Sequence, residues 1–178
     1  MDEIKLVIPE KEYAKQVMEY KKEFMDNEDY SFDGCAVLEE TETFEEWADF
    51  ENRLSKKYGD NYVPSTVYLG VRLSDNKVVG ITDLKHRFTD FLYNFGGNIG
   101  YSVRPLERRK GYAKQMLKLM LEECKKLNFE KVLICCDKEN LGSSKTIIAN
   151  GGTLENEVED TVGLTKSGTI QRYWINIK

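Results

Sequence analysis

Residues 99–113, Ile-Gly-Tyr-Ser-Val-Arg-Pro-Leu-Glu-Arg-Arg-Lys-Gly-Tyr-Ala, constrain the fold more than any other stretch of this 178-residue chain. A short β-rich run stops near Pro105, which has no backbone N–H to give to a strand ladder. A basic turn holding Gly111 follows, and an amphipathic run begins behind it. Strand, glycine-bearing turn and helix start, in that order, bring unpaired backbone N–H groups and the positive end of a helix dipole to one spot. Such a spot binds phosphate, and basic side chains stand beside it. The segment therefore predicts a strand–helix junction and a ligand class together.

The elements around it follow from periodicity. Ala113, Met116, Leu117, Met120, Leu121, Cys124 and Leu127 recur at i, i+3, i+4, i+7, which predicts a helix over 111–127 laid on a sheet. Residues 131–136 are continuously apolar, as in a strand covered on both faces, so the pair forms a β-α-β crossover. Upstream, residues 5–8 read as a strand stopped by Pro9, and residues 10–25 carry Tyr13, Val17, Tyr20 and Phe24 at helical spacing. Thr43-Phe44-Glu45-Glu46 is a capping box opening a second helix with Trp47, Phe50 and Leu54. Residues 66–73 and 77–84 form an antiparallel hairpin about Ser74-Asp75-Asn76. A connection through Gly96-Gly97 leads to a strand over 98–103. Residues 141–150 are a short helix stopped by Gly151-Gly152, and strands over 153–158 and 170–177 follow. Residues 171–175 read as an ordinary closing strand, with a dimer edge as the alternative, so monomer and homodimer both stay open. The layout is α+β in a single domain over residues 1–178.

Composition narrows the partners. The apolar share is 40% and the charged share 32%, globular values. A net charge of −5 is a poor match to nucleic acid, so the basic turn is local rather than part of a cationic surface. No apolar run has membrane-spanning length, and the first residues lack a signal-peptide pattern; no membrane partner and a cytoplasmic location are the expectations. Cys35, Cys124, Cys135 and Cys136 lack CxxC spacing and His86 is the single histidine, so no metal site and reduced, mostly buried thiols are expected.

Arg108-Arg109-Lys110-Gly111-Tyr112-Ala113 fits Arg/Gln-x-x-Gly-x-Gly/Ala. In its strand–turn–helix setting, with a strand, Asn140, a short helix and Gly151-Gly152 downstream, it resembles the acetyl-CoA-binding motif of the GNAT N-acetyltransferase superfamily, and the order of elements agrees over nearly the whole chain. Neither a P-loop spacing nor Gly-x-Gly-x-x-Gly is present. The resemblance implies a mixed, mainly antiparallel sheet of six or seven strands flanked by helices and splayed between the fourth and fifth strands. It implies acetyl-CoA as acyl donor bound at Arg108, Arg109, Lys110, Gly111, Tyr112 and Ala113, with the pyrophosphate at the backbone N–H groups around Arg109, Gly111, Tyr112 and Ala113. Arg104, Arg109, Lys110 and Lys114 would lie toward the outer phosphate. Tyr101, Ser102 and Val103 would face the pantetheine arm, and Asn140 and Ser143 would stand at its far wall. Gly100 reads either as a close approach to that arm or as a packing accommodation, and Asn140 as a helix cap, a pantetheine contact or both.

The implied chemistry is direct transfer of the acetyl group to a primary amine of a small molecule or peptide, with a backbone N–H on the splayed strand facing the oxyanion. Family members often carry a tyrosine on the helix after Asn140 as the acid for the leaving thiolate; here that position is Ile147. Ser144, Tyr173 or unaided departure of the thiolate remain. For the base, Asp83 and His86 stand near the end of the third strand, either as participants or as ordinary strand-end residues. The acidic, aromatic-laced stretch 26–50 reads as a solvated face or as an attractor of a cationic acceptor. The alternative to an enzyme is a regulatory module that binds acyl-CoA without turnover.

Overall fold

The computed structural model describes residues 2–29, 32–56 and 63–177, with the backbone alone for 54–56, so the side chain of Leu54 lies outside the described residues. Among the described residues seven strands form two sheets. In the first, β1 (Ile4–Val7), β2 (Ser65–Arg72), β3 (Val78–Lys85) and β4 (Ile99–Val103) run antiparallel in that order. In the second, β7 (Thr169–Asn176) lies between β5 (Lys131–Asp137) and β6 (Thr153–Glu159). The sheet thus divides between β4 and β5, as the resemblance implies. The reading of residues 171–175 as a dimer edge is corrected: β7 is paired on both sides, and β6 is the edge.

Among the described residues four α-helices cover the sheets, α1 (Ala14–Asp26), α2 (Phe44–Lys56), α3 (Tyr112–Lys126) and α4 (Leu141–Ala149). On the front of the first sheet, Val17, Tyr20 and Phe24 of α1 and Trp47 of α2 bury against Val67, Leu69 and Ile81. The capping box forms reciprocally: Glu46 N–H donates to Thr43 Oγ1 at 3.2 Å and Thr43 N–H to Glu46 Oε2 at 3.3 Å. On the back, Leu117, Met120 and Cys124 of α3 and Ile147 of α4 pack on Leu84, Ile99, Val132 and Ile134. Leu127 belongs to the predicted stripe, yet it follows the last turn of α3 and is exposed. The sequence reading also misses a π-helical turn, Leu92–Gly96, inside the β3–β4 connection.

One buried carboxylate braces the start of α3. Glu107 accepts from Arg72 Nη1 at 2.8 Å, Lys77 Nζ at 2.7 Å and Lys110 Nζ at 2.9 Å, which ties the β2–β3 hairpin to the turn before the helix. Arg72 also donates to Tyr112 Oη at 3.1 Å and pairs with Asp75. Burial alone would raise the pKa of Glu107, but the three cationic donors overcome it and hold the carboxyl at about 2, below its ordinary 4.5. Its contribution is therefore complete above about pH 4.5 and is lost as the pH falls toward 2. Glu107→Gln leaves three cations short of a counter-charge and is expected to cost about 3 kcal/mol at neutral pH. Urea melts of both proteins at neutral and acid pH check this: the gap between them should shrink as the pH falls through that window.

Candidate functional site

The two sheets meet at one pin. Asn98 N–H donates to Leu133 O at 2.7 Å, and Leu133 N–H donates back to Asn98 Oδ1 at 2.9 Å, so a side chain replaces the missing rung. Asn98 Nδ2 also donates to Lys85 O at 3.1 Å, and an isolated bridge joins Gly97 to Ile134. Beyond it, no hydrogen bond links β4 to β5 among the described residues, and the strands diverge. Asn98 is buried, and the sequence reading passed over it; the preceding Gly96-Gly97 was the only hint.

At the open end of the gap stands the basic turn. Arg109 (φ 64°) and Gly111 (φ 86°) both take the left-handed conformation, which curls the backbone ahead of α3. Gly111 is the N-cap and supplies no side-chain cap. Among the described residues no protein acceptor takes the N–H groups of residues 109–114; the first bond of the helix is Gln115 N–H to Gly111 O at 3.2 Å. Six donors at the positive end of a four-turn helix make an anion cradle. Arg109 and Lys114 are exposed and form no ion pair among the described residues. The other basic residues of the turn are engaged. Lys110 is on Glu107, and Arg108 reaches Asp29 at 2.6 Å and Val103 O at 3.0 Å with its guanidinium over the Phe24 ring. Arg104, expected near the outer phosphate, is instead buried on α1, donating to Gln16 O at 2.9 Å. The Tyr112 side chain is buried under Arg72, and Ala113 adds only a methyl at the helix start.

Across the gap, Asn140 caps α4 by accepting from Ser143 N–H at 3.0 Å, and the Ser143 hydroxyl lies 2.8 Å from Tyr101 Oη. Tyr101 therefore bridges β4 to α4, and burial raises its phenol above the ordinary range against the pull of the Ser143 bond. Val103 sits on the same back face of β4. Ser102 points the other way: it donates to Asp33 O at 2.7 Å and receives Tyr20 Oη at 2.9 Å. Gly100 also faces front. A Cβ there would lie 2.8 Å from Gly34 N, so its lack of a side chain accommodates the chain between α1 and α2. The packing reading of Gly100 holds on that face.

The acid–base candidates separate. Asp83 is buried opposite Gly100, accepts from Gly100 N–H at 3.0 Å and pairs with Lys85 Nζ at 2.6 Å. His86 lies off the front face, 2.9 Å from Thr66 Oγ1 and edge-on to Phe129, and desolvation lowers its pKa. Ser144 donates to its own helix at Leu141 O, 3.3 Å, and Tyr173 Oη donates to Gln171 Oε1 at 2.8 Å in the back core. Ile147, at the family's tyrosine position, is core filling. Two groups absent from the sequence candidates reach the same region. Asp33 lies beside the gap, where its charge raises Tyr101 and Cys136, and Glu51 of α2 faces Asp83 and Lys85. Burial first, then the Asp83 charge, pushes Glu51 up to about 8 against Lys85 and the Trp47 indole. Both acids stood inside a long acidic run that gave no reason to single them out. Much of that run is used locally: Asp26 on Lys22, Asp29 on Arg108 and Glu46 in the capping box. Among the described residues there is no His, Cys, Asp and Glu group suited to a metal ion, and no helix long and apolar enough to cross a membrane.

A family model described as an acetyltransferase (GNAT) domain matches residues 11–153. No curated protein matches the sequence. Among solved structures, a ribosomal L7/L12 alpha-N-protein acetyltransferase in complex with coenzyme A is similar at 16% identity and a TM-score of 0.71, over 98% of this chain and 94% of the other. The microcin C7 self-immunity acetyltransferase MccE, in complex with acetyl-CoA and AMP, is similar at 18% identity and 0.69, over 99% and 94%. A ribosomal-protein-S5-alanine acetyltransferase from Vibrio fischeri is similar at 15% identity and 0.68, over 98% and 92%. At these identities the likeness is one of fold.

Asn98→Ala removes both side-chain bonds at the pin and leaves Leu133 N–H and Lys85 O unpaired in the interior. The expected cost is about 2–4 kcal/mol, read as a lower urea midpoint with an unchanged slope.

Proposed function

Since the chain belongs to the GNAT acetyltransferase family, acyltransferases that use acetyl-CoA, we propose that it moves the acetyl group of acetyl-CoA directly onto a primary amine of a small molecule or peptide. One observation carries the reading: the unpartnered N–H groups of residues 109–114, with Arg109 and Lys114 beside them, face the wide end of a gap between two strands. A pyrophosphate satisfies those donors, and Gly111 lets it approach the backbone. The arm then runs along β4 between Tyr101–Val103 and the Asn140–Ser143 wall, where the Tyr101–Ser143 contact must open or be shared. Arg108 and Lys110 act through the backbone and brace the turn, and the Tyr112 and Ser102 side chains support it from behind.

In the transfer, the neutral amine attacks the thioester carbon, a C–N bond forms, and the carbonyl oxygen becomes an oxyanion that a β4 backbone N–H can stabilise. The C–S bond breaks with its electron pair on sulfur. A thiol of ordinary acidity, about 8.5, leaves without an acid, which suits a chain with Ile147 where a tyrosine would stand. The acceptor site is assigned to the front, the side on which Asp83 and Lys85 of β3 stand. Asp33 and Asp83 outnumber Lys85 there, which favours a cationic amine. The similar fold of a protein alpha-N-acetyltransferase is consistent with an amine acceptor.

Isothermal titration with acetyl-CoA tests the cradle. Wild type should bind in the micromolar range. Gly111→Glu puts a β-carbon at φ 86° and a negative charge among the donors, and should abolish binding. Gly111→Asn, which tolerates that conformation at small cost, should retain most of it. Equal binding by wild type and Gly111→Glu would refute the assignment.

A further inference from the structure

Glu51 is 6% exposed, and its Oε1 has no hydrogen-bond partner. A buried carboxyl oxygen without a donor is costly in a folded protein and calls for a reason. Its place in the fold supplies one. Asp83, which it faces, is paired in register with Gly100 of β4, and Lys85 N–H donates to Asn98 O at 2.7 Å, directly at the pin where the gap closes. Glu51, Asp83 and Lys85 thus stand together on the front face at the narrow end of the gap. A thioester whose phosphates lie at residues 109–114 would end there.

The three groups are not equivalent. Lys85 Nζ is 2.6 Å from Asp83 Oδ1, and Gly100 N–H donates to the same oxygen at 3.0 Å, so Asp83 holds the ammonium. Two carboxyls share one ammonium, and Glu51 is the one left without it. The groups whose charge or dipole reaches it are Asp83 and Lys85 from β3, the Cys35 thiol from the chain between α1 and α2, and the Trp47 indole one turn earlier on its own helix. Trp47 Nε1 donates to Cys35 O at 2.8 Å, which fixes the indole against the chain between α1 and α2.

We propose that the Glu51 carboxylate receives the proton of the acceptor amine, and that Asp83 and Lys85 hold it in position. This rests on the acetyl-transfer reading above. When the amine nitrogen bonds to the acetyl carbon, the ammonium proton of the tetrahedral intermediate passes to Glu51 Oε1. The C–S bond then breaks, its electron pair goes to sulfur, and the thiolate takes a proton from solvent or from the Glu51 acid, which resets the site. A carboxyl that ionises near 8 is a far stronger proton acceptor than an exposed glutamate and is still partly ionised at neutral pH.

The test uses the full chain, acetyl-CoA and n-propylamine as probe, with wild type, Glu51→Gln and Glu51→Asp. Calorimetry should give all three the same acetyl-CoA affinity; failure of wild type to bind would overturn the acetyl-transfer reading and this proposal with it. Thiol release, corrected for free amine, should rise with pH in wild type and level off above about 8. Glu51→Gln should lower kcat about 100-fold and flatten that rise with KM for acetyl-CoA unchanged, and Glu51→Asp should recover part of both. A Glu51→Gln variant that binds acetyl-CoA and keeps the wild-type rate or its pH limb overturns the proposal alone. Carbon-13 NMR of the side-chain carboxyls gives a readout that needs no turnover. The signal lost in Glu51→Gln should titrate near 8 and move when n-propylammonium is added; titration in the ordinary range near 4.5 overturns the assignment.

Discussion

The two halves of the molecule are joined by a side chain doing the work of a backbone. Asn98 presents an amide to Leu133 and Lys85 just where β4 and β5 would otherwise continue as neighbours. An amide can offer one donor and one acceptor as a peptide group does, but it cannot propagate a ladder. Pairing therefore begins at that point and does not extend. The unpaired edges of β4 and β5 beyond it would be a liability on an ordinary surface. Here they form the two walls of a wedge, which the Tyr101–Ser143 contact spans.

A wedge is of use only if its ends are held in register with their chemistry. Glu107 does this at the wide end, where three cationic side chains converge on one buried carboxylate and fix the turn ahead of α3 against the β2–β3 hairpin. The cost of burying that charge is offset by the number of its donors, and the same bonds take Lys110 and Arg72 away from any ligand. The anion cradle is thereby left to backbone groups, whose positions are set by φ angles at Arg109 and Gly111 rather than by flexible side chains. Such donors are already oriented before a ligand arrives, so little conformational entropy is lost on binding.

Nearly every regular element was legible in the sequence, because periodicity and punctuation act over short distances: the α3 stripe, the capping box at Thr43 and the Gly151-Gly152 stop each report a local constraint. The π-helical turn Leu92–Gly96 left no periodic trace in so short a connection. The phosphate turn was legible for the same local reason, yet the roles of its side chains were not. Arg104 and Arg108 look like free cations in sequence, and only the packing of α1 shows that Gln16, Asp29 and Phe24 receive them. Asn98 was hidden because its function depends on a strand 35 residues away.

The acceptor side shows most clearly why a site made of long-range encounters resists reading from sequence. Glu51 is one acid among many between residues 23 and 51, and nothing local distinguishes it from Glu46, which serves a helix cap, or from Asp49, which is exposed. What sets it apart is the arrival of Asp83 and Lys85 from a strand more than thirty residues on, with one ammonium to divide between two carboxyls. The division depends on geometry: Lys85 is two residues from Asp83 on one strand face and takes the nearer partner. Burial does the rest, since a carboxyl denied both water and a cation holds its proton to higher pH. The cofactor side of the wedge is thus a property of backbone conformation, and the acceptor side a property of unequal sharing among side chains that three separate elements bring together.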